Sequence, residues 1–69
     1  MMARIEAERK RAGMSQEVLA HKVGVTLATY QNWKNGTRMS AEKLREIAKA
    51  LNCSMDYLAG LTERREIDV

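Results

Sequence analysis

Gln16-Glu17-Val18-Leu19-Ala20-His21-Lys22-Val23-Gly24-Val25-Thr26-Leu27-Ala28-Thr29-Tyr30-Gln31-Asn32-Trp33-Lys34-Asn35 reads as two short helices broken by a tight turn. Ser15 precedes the first helix, and its hydroxyl suits the free amides of a first helical turn. That helix is expected over Gln16–Val23, with Gly24 stopping it in a conformation that a side chain would resist. Thr26 follows as the next cap, so a second helix is expected over Leu27–Lys34, ending at Asn35-Gly36. A turn this short forbids an antiparallel pair, and the two helices must cross steeply. Such a crossing needs a small residue where the helices touch, a glycine in the turn and a packing residue returning from the second helix. Ala20, Gly24 and Tyr30 stand at that spacing, with Leu19, Val25 and Trp33 filling the space between. This combination is the helix-turn-helix pattern.

Outward from this pair the chain remains helical. Residues 4–12 form an expected first helix, stopped by Gly13. Ser40 caps an expected fourth over Ala41–Leu51, whose Leu44, Ile47, Ala48 and Leu51 share one inward face. Ser54 caps a last short helix through Ala59, closed by Gly60. No β-branched or aromatic run alternates with period two, so Asn35-Gly36 reads as a helix end rather than a hairpin turn. The expected architecture is all-α with five helices: one domain over residues 1–61 and a mixed-charge tail over 62–69. The tail, alternating in sign from Glu63 to Asp68, is expected to fray.

Composition narrows the function classes. Hydrophobic residues make up 45% of the 69, with no phenylalanine, which allows only a thin core. One cysteine excludes an internal disulfide and, with one histidine, leaves no set for a zinc centre; no cofactor is expected. No apolar run approaches the roughly 18 residues of a membrane span, and no leader-like stretch opens the chain, so a soluble cytoplasmic module is expected. Ser15 or Ser54 with His21 and Asp56 lacks any nucleophile motif, and an enzyme is not expected. Net charge is +3, carried by residues 1–39, where seven bases face three acids; residues 40–69 hold five bases and six acids. That asymmetry suits a polyanion on one face, though a small basic excess also simply confers solubility.

The stretches Gly13-Met14-Ser15-Gln16, Leu19-Ala20, Val23-Gly24-Val25-Thr26, Thr29-Tyr30, Trp33-Lys34-Asn35-Gly36, Ile47-Ala48-Lys49-Ala50-Leu51 and Ser54-Met55-Asp56-Tyr57-Leu58 carry a resemblance. Over about residues 5–61 the chain resembles the Cro/C1-type (XRE-like, lambda-repressor-like) helix-turn-helix domains of phage repressors and small bacterial regulators. The resemblance implies a five-helix domain that binds double-stranded DNA, usually as a homodimer, and regulates transcription, most often by repression.

Helical geometry gives the reading face independently. Stepping about 100° per residue from Leu27, positions 27, 31, 28 and 32 fill one arc, whereas Thr29, Trp33 and Tyr30 fill another. The arc with both aromatics faces the core. Leu27, Ala28, Gln31 and Asn32 are left for the major groove, where Gln and Asn each match an adenine edge. Family repressors often carry polar residues where this chain has Leu27 and Ala28. Those two offer only apolar contact to thymine methyl groups, and Leu27 has the alternative of packing at the helix start.

The family also commonly pairs an arginine at the Arg9 position with a glutamate at the Lys34 position. Lysine removes that acceptor, so Arg9 must turn to Glu6, Glu8 or solvent. Lys34 is then either a phosphate contact or a solvated cation favoured by the helix dipole. Gln16, Thr26, Asn35, Thr37 and Arg38 match backbone-contact positions of the family and complete the expected phosphate set. Arg9-Lys10-Arg11 reads as a solvated face, with long-range attraction as the alternative. Tyr57, Leu58 and Leu61 match the region of the family's two-fold contact; otherwise they close the monomer core. Cys53 reads as a small buried residue. A different class of function, a protein-interaction module such as an antitoxin component, draws support from the apolar Leu27-Ala28 edge.

Overall fold

The computed structural model describes residues 1–67 and contains five helices among them: α1 (Met2–Arg11), α2 (Gln16–Lys22), α3 (Leu27–Lys34), α4 (Ala41–Leu51) and α5 (Met55–Leu58). No strand occurs among the described residues. Four helices start as the Ser/Thr pattern requires. The hydroxyls of Ser15, Thr26, Ser40 and Ser54 accept from the amides of Val18, Thr29, Lys43 and Tyr57. The first helix has no side-chain cap and begins two residues earlier than expected, because the Met1 carbonyl accepts from the Ile5 amide. Three C-terminal ends shift by one residue, with Ala12, Val23 and Ala59 at C-caps rather than inside their helices, while α3 and α4 keep their expected bounds.

The core draws on every helix. Ile5 of α1, Leu19 and Ala20 of α2, Tyr30 and Trp33 of α3, Ile47, Ala48 and Leu51 of α4 and Leu58 of α5 are buried, together with Val23 and Cys53. Tyr30 and Trp33 meet edge to face, centroids 6.1 Å apart. These two rings supply the buried aromatic area of a core without phenylalanine, and Tyr57 packs against its margin. The α2–α3 turn is closed by the Val25 amide donating to the Ala20 carbonyl at 3.0 Å, with Gly24 at φ +74°. From α4, Lys43 Nζ donates to the Val23 carbonyl at 2.9 Å and pairs with Glu46 at 3.1 Å. A cation at the C-terminal end of α2 both satisfies an orphan carbonyl and suits the dipole.

The tail is not frayed over its described part. Arg4 donates to the carbonyls of Tyr57 and Thr62, at 2.8 and 2.7 Å, and to Glu63 at 2.9 Å, while lying 4.5 Å over the Tyr57 ring. Arg65 reaches Glu8, a buried carboxylate of α1, at 2.6 Å. Ser54 adds a backbone bond to the Arg65 carbonyl. Alternating charge therefore works as a strap across α1 and α5, because Glu63 meets Arg4 and Arg65 meets Glu8. Asp68, at the end of that alternation, lies outside the described residues.

Gly24 gives the fold its sharpest test. A methyl group there would meet only Lys43 Nζ, at 3.8 Å, so space is available and the cost is purely conformational. Gly24→Ala is expected to lower the unfolding free energy by about 1–2 kcal/mol, read by urea denaturation. A neutral effect would show that the turn does not hold the left-handed conformation.

Candidate nucleic-acid interface

The exposed edge of α3 consists of Leu27 (37% exposed), Ala28 and Asn32, with half-buried Gln31 between them. Tyr30 and Trp33 hold the opposite side of the helix in the core, which leaves this edge no other orientation. The Asn32 carbonyl accepts from the amides of Asn35 and Thr37, at 3.1 and 2.9 Å. That closes α3 and fixes the loop from which Thr37 and Arg38 project into solvent. Leu27 is exposed rather than folded under the helix start. Thr26 spends its hydroxyl on Thr29, accepting from the amide and donating to the side chain, so its offer to an anion is the backbone.

Behind this edge lies a carboxylate whose extent the sequence pattern did not reveal. Glu6 of α1 accepts from Arg9 Nε at 2.9 Å and Nη2 at 3.0 Å, from the Tyr30 hydroxyl at 2.5 Å and from Gln16 Nε2 at 3.2 Å. Lys34 Nζ stands 3.8 Å away. Arg9 also donates to the Met14 carbonyl at 2.6 Å and is buried, so it is not part of a solvated basic face. Lys34, expected either at a phosphate or as a solvated cation, stands with its ammonium loosely toward Glu6 in the free protein. Gln16 in turn accepts a hydrogen bond from Gln31 Nε2. One carboxylate thus joins α1 to the first residue of α2 and to the face of α3. The hint in the sequence was the Glu6/Arg9 spacing of three; the reach to Tyr30 and Gln16 depends on how α1 lies across the pair.

Arg9, above all, and the Tyr30 and Gln16 hydrogen bonds hold the Glu6 carboxyl down from 4.5 to about 2, against a smaller opposing effect of burial. Tyr30 shifts the other way: burial first, then its bond to Glu6, keeps the phenol protonated and a donor. Cys53 is buried and its thiol is pushed up by desolvation, contrary to what a reactive thiolate needs. No cluster of His, Cys, Asp and Glu suited to a metal occurs among the described residues. None of their helices is long and apolar enough to cross a membrane.

The three residues expected at a two-fold contact separate. Leu58 is fully buried and closes the monomer core, so it presents nothing to a partner. Tyr57 is half-buried under Arg4, and Leu61 is 78% exposed.

Residues 5–58 match the helix-turn-helix family, the same span that holds the crossed pair and its core. The chain belongs to the Cro/C1-type helix-turn-helix family. It is 39% identical over 59 residues to the repressor protein C2 of Salmonella phage P22, covering 84% of this chain and 27% of that protein. An uncharacterized transcriptional regulator in the ATPase CF(0) region of Rhodospirillum rubrum is 37% identical over 62 residues, 88% of this chain and 57% of that one. An uncharacterized HTH-type transcriptional regulator of Sinorhizobium medicae is 36% identical over 56 residues, 80% of this chain and 40% of that one. The chain therefore spans little more than half the length of these relatives, or less. No solved structure gives a significant match.

The sign of the Glu6 shift fixes a pH dependence. A carboxyl depressed in the folded state stabilises it above the unfolded value, and that stability is lost as pH falls from 4.5 to about 2. Glu6→Gln is expected to lower stability at pH 7 and to flatten the acid limb over that interval, measured by urea denaturation at stepped pH. An acid limb of unchanged slope would show that Glu6 is not the group responsible.

Proposed function

We propose that this chain is the DNA-binding domain of a sequence-specific transcriptional regulator, a repressor that places α3 in the major groove of a palindromic operator. The observation that carries this reading is the outward edge of α3, Leu27, Ala28, Gln31 and Asn32, held in place by the buried Tyr30 and Trp33. Asn32 reads an adenine edge, and Leu27 and Ala28 favour thymine methyl groups. Gln16, the Thr26 backbone, Lys34, Asn35, Thr37 and Arg38 contact phosphates on either side and set the register without specifying sequence. Lys34 reaches a phosphate by exchanging its long 3.8 Å approach to Glu6 for a closer anion. The names of the P22 and Rhodospirillum relatives support a regulator, and the first of them a repressor.

The homodimer in this reading uses Tyr57 and the exposed Leu61, and sets two α3 helices about 34 Å apart, one turn of DNA. Selection from a random duplex pool at about 150 mM salt is expected to return an inverted repeat with that half-site spacing. Asn32→Ala is expected to relax preference at one or two base pairs by about 1–3 kcal/mol. Arg38→Ala is expected to weaken all sequences alike and lower the salt slope by about one. Binding that fades with salt without any recovered motif, together with affinity for a co-encoded small protein, would overturn base reading in favour of a protein-interaction module.

A further inference from the structure

Glu6 touches no position expected to meet a base, yet it is linked to one through two consecutive side-chain amides. An ionised carboxylate only accepts hydrogen bonds. The group that Gln16 turns toward Glu6 Oε1, 3.2 Å away, must therefore be its Nε2. Its Oε1 is then left facing α3, and the only group of Gln31 able to meet an acceptor is its own Nε2, the bond observed. Chemistry at Glu6 thus fixes the direction of both amides in turn. Gln31 keeps its Oε1 and the second Nε2 hydrogen for a ligand, an acceptor beside a donor, which is the complement of adenine N6 and N7. With the amides reversed, donor and acceptor would exchange places, setting an N–H against adenine N6 and a lone pair against N7, and the fit to adenine would be lost.

We infer that Glu6 is a specificity-determining positioning residue: through Gln16 it orients the Gln31 amide so that α3 prefers adenine to guanine at the base that Gln31 meets. The inference rests on the DNA-reading role proposed for α3 and adds to it a residue on α1 that contacts no DNA. Several features make the relay firm. Arg9 and Tyr30 occupy the other lone pairs of Glu6, so the carboxylate cannot swing away, and the side chains of Glu6 and Arg9 are 17% and 11% exposed. Gln16 and Gln31 are each half-buried, which limits competition from water.

Two measurements on the full chain test this, one with DNA and one without. In selection from a random duplex pool, the base position that Gln31→Ala relaxes is expected to show adenine over guanine in the wild type. Glu6→Gln, whose amide can face Gln16 with either end, is expected to reduce that preference at least about fivefold while leaving the Asn32 positions unchanged. The double variant is expected to match Gln31→Ala alone, because the effect of Glu6 passes through Gln31. Ile47→Val, a core change on α4 that removes no hydrogen bond of the relay, is expected to lower stability without altering base preference. In NMR of the free protein, the side-chain amide signals of Gln31 are expected to move with those of Gln16 in Glu6→Gln. Preserved adenine preference in Glu6→Gln, equal erosion of the motif by Ile47→Val, or Gln31 signals that stay still would each overturn the relay while leaving DNA reading intact. A wild-type pool without any motif overturns DNA reading itself, and the specificity role of Glu6 with it.

Discussion

The structure turns on one carboxylate with more donors than a surface glutamate normally meets. Glu6 receives hydrogen bonds from Arg9, Tyr30 and Gln16, and Lys34 approaches as well. A thin core cannot by itself fix how α1 lies on the crossed pair α2–α3, because apolar contact is indifferent to small rotations. Directional bonds to a charged acceptor are not indifferent, and charge-assisted bonds are about twice as strong as neutral ones. Glu6 therefore locks an angle that Ile5, one residue earlier in the same helix, only allows. Removing a partner of a partly desolvated charge costs more than the bond alone contributes, so the hub acts as a unit.

The departure of this chain from its family becomes intelligible around that hub. Family members commonly set a glutamate at the end of α3 against the arginine of α1. Here the residue at the end of α3 is Lys34 and the acceptor is Glu6, on α1 itself. The charges have exchanged helices while the link between α1 and α3 survives, now carried by the Tyr30 hydroxyl. A short-range i,i+3 pair has taken over an interhelical job, because Arg9 needs an acceptor wherever it can be found once it is buried.

Most of the architecture was legible in the sequence because its signals are local. Ser15, Thr26, Ser40 and Ser54 are caps by chemistry alone, and the period of Leu44, Ile47, Ala48 and Leu51 declares an inward face. Tyr30 and Trp33 fix the rotation of α3, and with it the edge left to solvent. What escaped was non-local. Nothing in the spacing of Glu6 and Gln16 says that they meet, since their contact follows from the packing of α1. The same holds for the tail: alternating charges normally indicate solvation, and only the arrival of residues 62–65 beside Arg4 and Glu8 gives Glu63 and Arg65 their partners. Leu58 was ambiguous for a related reason, as an apolar residue in a four-residue helix can close a core or extend from it.

The strap gives the fold an order in time. Its bonds join residues 53 to 59 positions apart, so α1 must wait for them until the strap has been synthesised. The crossed pair and its cap at Lys43 involve nearer neighbours and can assemble while synthesis continues. Glu8, however, has its closest cationic partner in Arg65. Until that residue leaves the ribosome, the carboxylate must stay hydrated, and α1 cannot settle fully onto the body. Helix α1 is thus sealed only after the rest of the fold, and the nascent domain keeps that side open until the strap has been translated.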